Sequence, residues 1–443
     1  MAPSPDPFDS DPDLPARADV VIIGGGIIGV VAALELAERG ISVLLCEKGL
    51  IGGEQSSRNW GWCRKMGRDP REIPLAQESL RLWGEMNARV GAETGFRASG
   101  ILYLLNTQAE VASYTAWLEQ HARPHGLDSR LLTADEVAEL APGARRSWLA
   151  GLYTPSDGRA EPTMAAPAIA HAARRVGATI LTGTAVRGVE KEGGRISGVV
   201  TERGRVACST VLLAGGAWSR RFLFNMGVHL PQLGVISSVQ RTAPLNLGHE
   251  RTLAGGQFAA RKRLDGGYTI AHNHISVADI VPDSFRLMAP FLPVLKLDWQ
   301  GIRLRLGQRF IDEARLKRRW ALDEVSPFET VRVLDPAPVQ KYLDAAGDEL
   351  ARAFPAFAGV PVVERWAGLI DATPDAVPVI SAIDAEPGLF VATGFSGHGF
   401  GVGPAGGRLA ADLITGATPL VDPAPFRHGR FLDGTRPRPV TGL

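Results

Sequence analysis

The sequence predicts an α/β fold with two domains, one built around a parallel sheet and one around a mostly antiparallel sheet. The chain has 443 residues, more than one hydrophobic core usually serves. A strand–helix–strand unit stands near the start, and glycine-rich segments return late in the chain. The middle, roughly 222–365, alternates apolar and polar residues, as in 268–272, which favours antiparallel strands.

The first unit is a βαβ motif of about 30 residues. Asp19–Ile23 is a β-branched run typical of a buried parallel strand. A glycine turn follows at 24–29, then a helix through Arg39 that Gly40 ends. Ser42–Cys46 is the second strand, and the crossover is expected to be right-handed.

Later elements follow the same patterns. Apolar residues at helical spacing predict a helix over 73–90, and Pro162 and Gly177 delimit another over 162–176. Short β-branched runs predict strands at 96–105, 179–181, 196–200 and 211–214. The predicted first domain comprises 17–85, 151–221 and 366–425, and the second comprises 86–150 and 222–365. Residues 1–16 and 426–443 are predicted to be tails.

Composition excludes several classes of protein. Lys plus Arg is 48 and Asp plus Glu is 47, so no overall field favours nucleic acid. The cysteines Cys46, Cys63 and Cys208 form no paired motif, which favours a reducing compartment and no metal site. The first 14 residues lack a signal-peptide pattern, and four glycines interrupt the apolar window 18–36. We expect a cytoplasmic protein without a transmembrane segment.

The spacing Gly24-x-Gly26-x-x-Gly29 between strand and helix is the dinucleotide fingerprint of Rossmann-like domains. The glycines allow a tight turn, close approach of backbone N–H groups to a pyrophosphate, and close helix packing. Glu47 ends the second strand 18 residues after Gly29, where a carboxylate can accept both ribose hydroxyls. The same carboxylate repels a 2′-phosphate, so the pattern predicts a dinucleotide other than NADP.

Six ordered motifs between Ala18 and Gly416 resemble the D-amino acid oxidase-like flavoprotein family, which includes glycine oxidase, sarcosine oxidase and D-amino acid dehydrogenase. The motifs are GGGIIG with Glu47-Lys48, GEQSSRNWG (53–61), DGRAEP (157–162), VLLAGGAWS (211–219), WAGLIDATPDAVP (366–378) and GFSGHGFGVGPAGG (394–407). The resemblance implies FAD and the oxidation of an amine or amino acid. Flavin N5 accepts hydride from the carbon bearing nitrogen, and water hydrolyses the resulting imine.

The resemblance also implies which residues contact FAD. Beside Gly24, Gly26, Gly29 and Glu47 these are Ile27, Ile28, Lys48, Ser56, Ser57, Asn59, Trp60, Gly61, Val186, Ala214, Gly215, Trp218, Gly368, Gly397, His398, Gly399, Phe400 and Gly401. The segment 394–403 opens the last helix, whose N-terminus would stabilise negative charge on the reduced ring. For His398 a backbone role is favoured over a catalytic one.

Three departures from the family bear on the substrate and the acceptor. Gly368 stands where sarcosine oxidases attach flavin through cysteine, so FAD is expected to be non-covalent. Ile370 replaces an arginine that clamps the substrate carboxylate, and Asp371 follows it. We therefore expect Asp371 to bind a cationic group, or else only to cap a turn. Thr269 falls near the place of an oxygen-activating lysine, which favours slow reaction with oxygen and leaves oxygen or another carrier as acceptor.

Other candidates for the substrate pocket have two readings each. Arg64 approximates the carboxylate-binding arginine of sarcosine oxidases, or forms a surface ion pair. Trp60 and Trp62 wall a pocket or pack in the core. His272 and His274 share one face and accept a proton, or are ordinary partly exposed residues. The basic segment 302–319 is a membrane-surface or partner helix, or a solvated insertion, and the solvated insertion is favoured.

The function expected from these patterns is FAD-dependent oxidation of a small amine or amino acid. One alternative is a 2-hydroxy acid or polyol-phosphate dehydrogenase on the same scaffold. An alternative of another class is a flavin-stabilised binding protein without turnover. The identity and chirality of the substrate and the oligomeric state stay open at this point.

Overall fold

The structure, a computed structural model, describes residues 3–435 and 438–440. The strands are β1 (Val20–Ile23), β2 (Val43–Cys46), β3 (Trp62–Cys63), β4 (Ile101–Leu105), β5 (Arg130–Leu132), β6 (Ala150–Thr154), β7 (Gly158–Arg159), β8 (Thr179–Leu181), β9 (Val186–Glu192), β10 (Arg195–Thr201), β11 (Gly204–Ala207), β12 (Thr210–Leu213), β13 (Leu233–Thr242), β14 (Thr252–Gly255), β15 (Phe258–Lys262), β16 (Tyr268–His272), β17 (Ser276–Asp279), β18 (Ile302–Arg305), β19 (Val362–Ala372), β20 (Val379–Ala382) and β21 (Leu389–Thr393).

The α-helices are α1 (Ile27–Glu38), α2 (Gln55–Arg58), α3 (Ile73–Val90), α4 (Gln108–Trp117), α5 (Ala134–Leu140), α6 (Pro162–Arg175), α7 (Ser219–Asn225), α8 (Pro282–Arg286), α9 (Met288–Leu297), α10 (Gln308–Arg315), α11 (Pro327–Thr330), α12 (Gln340–Ala353) and α13 (Gly403–Thr415). A π turn at Leu118–Ala122 continues α4. The 3-10 turns are Gly216–Trp218, Pro355–Phe357, Ala424–Phe426 and His428–Phe431.

The first domain contains a six-stranded sheet in the order β20-β21-β12-β1-β2-β8. Its neighbours pair in parallel, apart from the antiparallel pair β20–β21. The predicted βαβ unit is confirmed, with strand bounds that differ by one residue from those predicted. Parallel sheets are covered on both faces, which explains why β1 and β2 are apolar along their whole length.

Helix α1 lies at the centre of this domain. It is buried at every position except Glu38, and it packs against α6 and α13. A helix that is apolar all round must be covered on all sides, so the sequence of α1 already requires these neighbours. A Cβ added at Gly407 of α13 would lie 2.7 Å from the Val31 side chain, so glycine is what allows α1 and α13 to approach so closely.

The second domain contains a ten-stranded sheet, ordered β18-β17-β13-β16-β15-β14-β4-β6-β5, with β19 also paired to β13. The pairs β4–β14 and β17–β18 are parallel and the others antiparallel, which confirms the predicted mostly antiparallel sheet. All five residues of β16 are buried, since α12 packs over this region of the sheet. The alternation of 268–272 therefore does not mark a face open to water.

Strands β6 and β19 belong to the second sheet. The predicted first domain included 151–221 and 366–425, which contain parts of both strands. β19 pairs with β13 along nearly its whole length, from Ala372 opposite Leu233 to Val362 opposite Thr242. Strand pairing between segments distant in sequence joins both strands to this sheet, and local patterns do not report it.

Both predicted tails contact the rest of the protein where the structure describes them. Residues 3–16 contain no helix or strand, but Phe8 packs on His171 and Arg174, and Asp11 N–H donates to Ile180 O. Near the other end, Arg430 forms a buried ion pair with Asp375. Both segments dock by a few apolar and charged contacts, which a composition rich in Pro, Asp and Ser does not reveal. Residues 1–2, 436–437 and 441–443 lie outside the described part.

The basic segment 302–319 follows α8 and α9 and contains β18 and α10. Arg305, Arg309 and Arg318 pair with Asp279, Glu313 and Asp283. The stretch from α8 to α10 also exposes large apolar side chains, namely Phe285, Met288, Leu292, Leu297, Trp299, Leu304, Leu306 and Ile311. Among the described residues, no helix combines the length and apolar character needed to cross a membrane.

Candidate active site

The glycine turn between β1 and α1 has the geometry that a bound pyrophosphate needs. Gly24 has φ +111°, and a Cβ there would lie 2.5 Å from Ala214 O. A Cβ at Gly29 would lie 2.0 Å from Gly24 O, so the close packing of helix on turn depends on glycine. The Ile27 N–H, free of a helical partner at the start of α1, donates to Ser56 Oγ at 2.9 Å.

Glu47 follows β2, as predicted. Its two oxygens accept the Gly25 and Gly49 N–H groups, each at 2.7 Å. Burial raises the pKa of this carboxyl, while Lys48 and the two N–H groups act in the opposite direction. Each carboxylate oxygen has a further lone pair, so both can also accept a hydroxyl of a ribose.

An elongated cavity, which we name the cofactor cavity, runs from Glu47 and Val186 past the N-terminus of α1 to Gly397 and Phe400. One end carries a carboxylate for the ribose hydroxyls, and the middle carries a helix N-terminus for a pyrophosphate. The far end offers apolar side chains and glycine backbone for a large flat ring. These residues fit FAD, which supplies the hydride acceptor when bound.

Asp371 lines the cofactor cavity and forms hydrogen bonds with three neighbouring residues. Its Oδ2 accepts the Gly394 N–H at 2.6 Å and the Thr393 hydroxyl at 3.1 Å, and Gln232 Nε2 donates to it at 3.1 Å. Burial raises the pKa of Asp371, and the hydrogen bonds from Gly394 and Thr393 oppose that rise. The Asp371 carbonyl also accepts the N–H of Ser396, whose φ of +50° closes a tight turn.

A second cavity adjoins the cofactor cavity, and both are lined by Gln55, Asn59, Gly397 and Phe400. The other residues lining the second cavity are Trp60, Trp62, Arg64, Arg68, Tyr103, Val235, Ser237, His272, Asn273, His274, Ile275, Ser276, Ile370, Ser396, His398 and Gly401. Two arginines and no Asp, Glu or Lys occur among these described lining residues. The wall is therefore cationic.

Arg64 and Arg68 supply this charge. The Arg64 guanidinium donates to the carbonyl of Met66, and neither arginine forms an ion pair within the part of the chain that the structure describes. Arg68 is 3% exposed, and its Nη1 has no hydrogen-bond partner. Burial and the nearby Arg64 lower the pKa of Arg68 to about 9. Two neighbouring cations in a buried wall favour the binding of an anion.

Aromatic side chains line the same cavity as the two arginines. The rings of Trp60 and Trp62 meet edge to face at 5.4 Å, and Trp62 lies 6.2 Å from Tyr103. Trp62 is 9% exposed and belongs to a buried apolar cluster, so it both packs in the core and lines the cavity. The second cavity thus combines guanidinium donors with aromatic faces.

A profile of the FAD-dependent oxidoreductase family named DAO matches residues 19–413. The chain belongs to this family. It is 26% identical over 422 residues to glycine oxidase of Pseudomonas putida, covering 92% of this chain and 97% of the relative. Its structure superposes on L-amino acid deaminase from Proteus myxofaciens with a TM-score of 0.93 and 35% identity, covering 97% of each chain. It also superposes on L-proline dehydrogenase from P. horikoshii with a TM-score of 0.77 and 26% identity, covering 95% of this chain and 99% of the other.

These likenesses confirm the family and the α/β fold predicted from sequence. The oxidoreductase depends on FAD and acts on CH–NH or CH–NH2 donors, so it oxidises an amine or amino acid.

The residues predicted to contact FAD in this oxidoreductase fall into three groups. Those lining the cofactor cavity are Gly24, Gly26, Ile27, Ile28, Glu47, Lys48, Ser56, Asn59, Val186, Ala214, Gly215, Trp218, Gly397, Gly399 and Phe400. Those lining only the second cavity are Trp60, His398 and Gly401. Those lining neither cavity are Gly29, Ser57, Gly61 and Gly368, which allow close packing or, for Ser57, bond to Glu54 O.

The three predicted catalytic residues do not lie together. Arg64 and His272 line the second cavity, whereas Asp371 lines the cofactor cavity. His272 Nδ1 accepts the His274 and Ile275 N–H groups at 3.2 Å, and burial lowers its pKa to about 4. This nitrogen orders the loop after β16 and is not free to take a proton from a substrate.

Thr269 lies in neither cavity. It is 2% exposed, and its hydroxyl accepts hydrogen bonds from Arg261 and Arg263. Thr269 is therefore not exposed to either cavity.

Sequence reasoning missed several residues of the site. Glu54 lines the cofactor cavity and accepts from Lys48 Nζ and Trp218 Nε1. Arg68 lines the second cavity, and Glu72 contacts His398 there. The run Arg-Asp-Pro-Arg-Glu at 68–72 resembles an ordinary charged helix entry, and only the burial of Arg68, Asp69 and Glu72 distinguishes it from one.

Proposed function

We propose that the substrate is an amino acid whose carboxylate binds Arg64 and Arg68 in the second cavity. The observation that carries this proposal is the pair of guanidinium groups that line the second cavity, next to the cofactor cavity, and form no ion pair among the described residues. A carboxylate matches the donor geometry of guanidinium, and the pair of charges lowers the cost of burying both groups. This replaces the expectation that Asp371 binds a cationic group, because three donors already occupy its Oδ2.

The relatives support a substrate of this class. The Proteus myxofaciens structure is an L-amino acid deaminase in complex with anthranilate, a molecule with a carboxylate, and glycine oxidase is named for an amino acid. The faces of Trp60, Trp62 and Tyr103 line the same cavity as the two arginines. Such faces favour an apolar or aromatic side chain on the substrate. Simple glycine would leave this aromatic surface in contact with water.

An anaerobic screen tests the proposed substrate class. The holoenzyme is mixed without oxygen with amino acids of increasing side-chain size, with the matching decarboxylated amines and with the matching 2-hydroxy acids. We expect an apolar amino acid to bleach the flavin absorbance, while its amine lacks the carboxylate anchor and acts weakly. Bleaching by the amine as fast as by the amino acid would refute the carboxylate site. Bleaching by the hydroxy acid alone would favour the alternative 2-hydroxy acid dehydrogenase. If none of these compounds bleaches the flavin, the alternative of a non-catalytic binding protein is favoured.

We also infer that the electron acceptor is a carrier other than oxygen. No lysine occurs among the described residues that line the second cavity, and the buried Thr269 does not line it either. Stopped-flow mixing of the reduced enzyme with oxygenated buffer tests this inference. Reoxidation slower than substrate turnover supports a carrier, and reoxidation as fast as turnover contradicts it. A cytoplasmic location is proposed on the three free and buried thiols, which suit a reducing compartment.

A further inference from the structure

A buried carboxylate–imidazole pair stands at the second cavity, with His398 lining the cavity and Glu72 buried behind it. Glu72, just before α3, is 0% exposed, and its Oε2 lies 3.0 Å from His398 Nδ1. The second oxygen of Glu72 is buried and has no hydrogen-bond partner. A fully buried carboxylate is costly, and the hydrogen bond with His398 together with the nearby charges of Arg68 and Arg71 offsets the cost of burying Glu72.

The orientation of His398 follows from this contact and from its loop. The His398 N–H donates to Phe395 O at 2.8 Å, which fixes the backbone before α13. With Glu72 beside Nδ1, the proton of the neutral ring resides on Nδ1, and Nε2 keeps its lone pair. Nε2 makes no hydrogen bond with any described residue, and the side chain lines the second cavity.

The pKa of His398 depends on the charged groups around it. His398 faces Glu72, Arg64 and Arg68 from the segment that enters α3, and the same cavity holds Tyr103 of β4 and His272 and His274 at the end of β16. Burial, with Arg68, lowers the pKa of His398 to about 4, while Glu72 raises it. A carboxylate bound at the two arginines offsets one of their two positive charges, which weakens the repulsion that opposes an imidazolium, while the effect of burial on the pKa of His398 remains.

We propose that Nε2 of His398 accepts the proton that the ammonium group of the bound amino acid must lose before oxidation, and that Glu72 is the positioning residue for this step. The inference rests on the proposed carboxylate site. One ammonium N–H bond breaks, its electron pair stays on nitrogen, and the proton forms a new bond to Nε2. The neutral amine is the form that can release hydride from its carbon, and Glu72 stabilises the imidazolium.

Anaerobic single-turnover reduction between pH 6 and 10 tests the proposal on the holoenzyme. For His398→Gln, which retains polarity but cannot accept the proton, we expect the limiting rate at pH 7 to fall about a hundredfold or more. The loss should shrink toward pH 10, where the free amino acid is already neutral at nitrogen. Glu72→Gln should lower the rate about tenfold or more at pH 7 without weakening substrate binding. A loss that is equal at every pH, or no loss, would overturn the proposal.

His249→Gln is a matched control, because His249 is also 8% exposed with a pKa lowered to about 4, yet it lies outside both cavities. Its pH profile should equal that of the wild type. Nitrogen-15 NMR of histidine-labelled holoenzyme gives a reading that needs no turnover. A His398 ring with hydrogen on Nδ1 and a bare Nε2 is expected at pH 7, and hydrogen on Nε2 would refute the dyad. If no amino acid reduces the flavin, the proposed function fails, and the NMR result still decides the state of the pair.

Discussion

At the scale of single residues, the site depends on charges whose partners are missing or shared. Arg64 and Arg68 have no ion-pair partner among the described residues, whereas Asp371 accepts three hydrogen bonds on one oxygen. The same residue type therefore serves binding or scaffolding according to whether neighbours already satisfy it. This distinction comes from hydrogen-bond partners, which a sequence motif does not contain.

Replacement of Arg68 by Gln removes one guanidinium and retains a polar side chain. Because a charge-assisted hydrogen bond contributes about 1.5–3 kcal/mol, we expect the substrate Kd to rise about tenfold or more. The Kd is measured from the substrate dependence of anaerobic flavin reduction, and Arg64→Gln should act in the same direction. Arg130→Gln, in an ion pair with both side chains exposed, serves as control. Unchanged Kd values in both cavity variants would place the carboxylate elsewhere.

The buried histidines predict acid sensitivity. His249, His272 and His398 each have a pKa lowered to about 4 by burial, below the usual 6.5. The unfolded chain therefore binds more protons than the folded protein between about pH 6.5 and 4, and stability falls as pH decreases through that window. Thermal unfolding of wild type and His249→Gln at pH 4.5 and 7.5 measures this. The variant should lose less stability on acidification, and an equal loss would show that His249 does not contribute.

At the scale of elements, the turn from β1 into α1 sets the cofactor cavity. A Cβ at Gly29 would overlap Gly24 O at 2.0 Å, so α1 would have to move away from the turn and from its contact with Ser56. The α3 helix shows the opposite case, because a Cβ at Gly84 meets nothing within 4 Å. Packing therefore requires glycine at position 29 but not at position 84.

Two Gly→Ala variants should therefore have opposite effects. Gly29→Ala should yield protein with little bound FAD, measured as the ratio of flavin to protein absorbance after gel filtration. Gly84→Ala should retain FAD and raise the free energy of unfolding by about 0.5–1 kcal/mol, because alanine favours the helix. Full FAD content in Gly29→Ala would contradict the tight packing of helix and turn.

At the scale of the whole molecule, the cofactor cavity is closed by segments distant in sequence. β19 crosses from the second sheet to present Asp371, and Gly368 lies against α2, where a Cβ would be 2.0 Å from Gln55 Oε1. The cysteine among the described residues that line this cavity is Cys46, which precedes Glu47 at the ribose end. Burial raises its thiol pKa to about 12, so it is a poor nucleophile.

FAD should accordingly be held without a covalent bond. Acid precipitation of the holoenzyme should release the yellow chromophore into the supernatant, where chromatography identifies intact FAD. Glu47→Gln should release FAD more readily in dilute buffer at neutral pH, because a charge-assisted contact to the ribose is lost. Colour that stays with the precipitated protein would instead demonstrate a covalent link.

Local patterns determined much of this protein by themselves. Glycine spacing, β-branched runs and the acid after β2 defined the βαβ unit, since these depend on backbone geometry within about 30 residues. Helices α3 and α6 followed from apolar spacing and from Pro and Gly at their ends. The ordered motifs indicated FAD and amine oxidation, which the family and its relatives confirm.

The tertiary structure alone decided which strands join each sheet, how both ends of the described chain dock, and how the site is divided between two cavities. β6 and β19 join the second sheet by pairing with strands far away in the chain, and no local pattern encodes a partner. Oδ2 of Asp371 accepts three hydrogen bonds, and Arg68, Glu72 and His398 come together from segments more than 300 residues apart. The function of a charged side chain depends on burial and on its partners, and both are set only when the chain has folded.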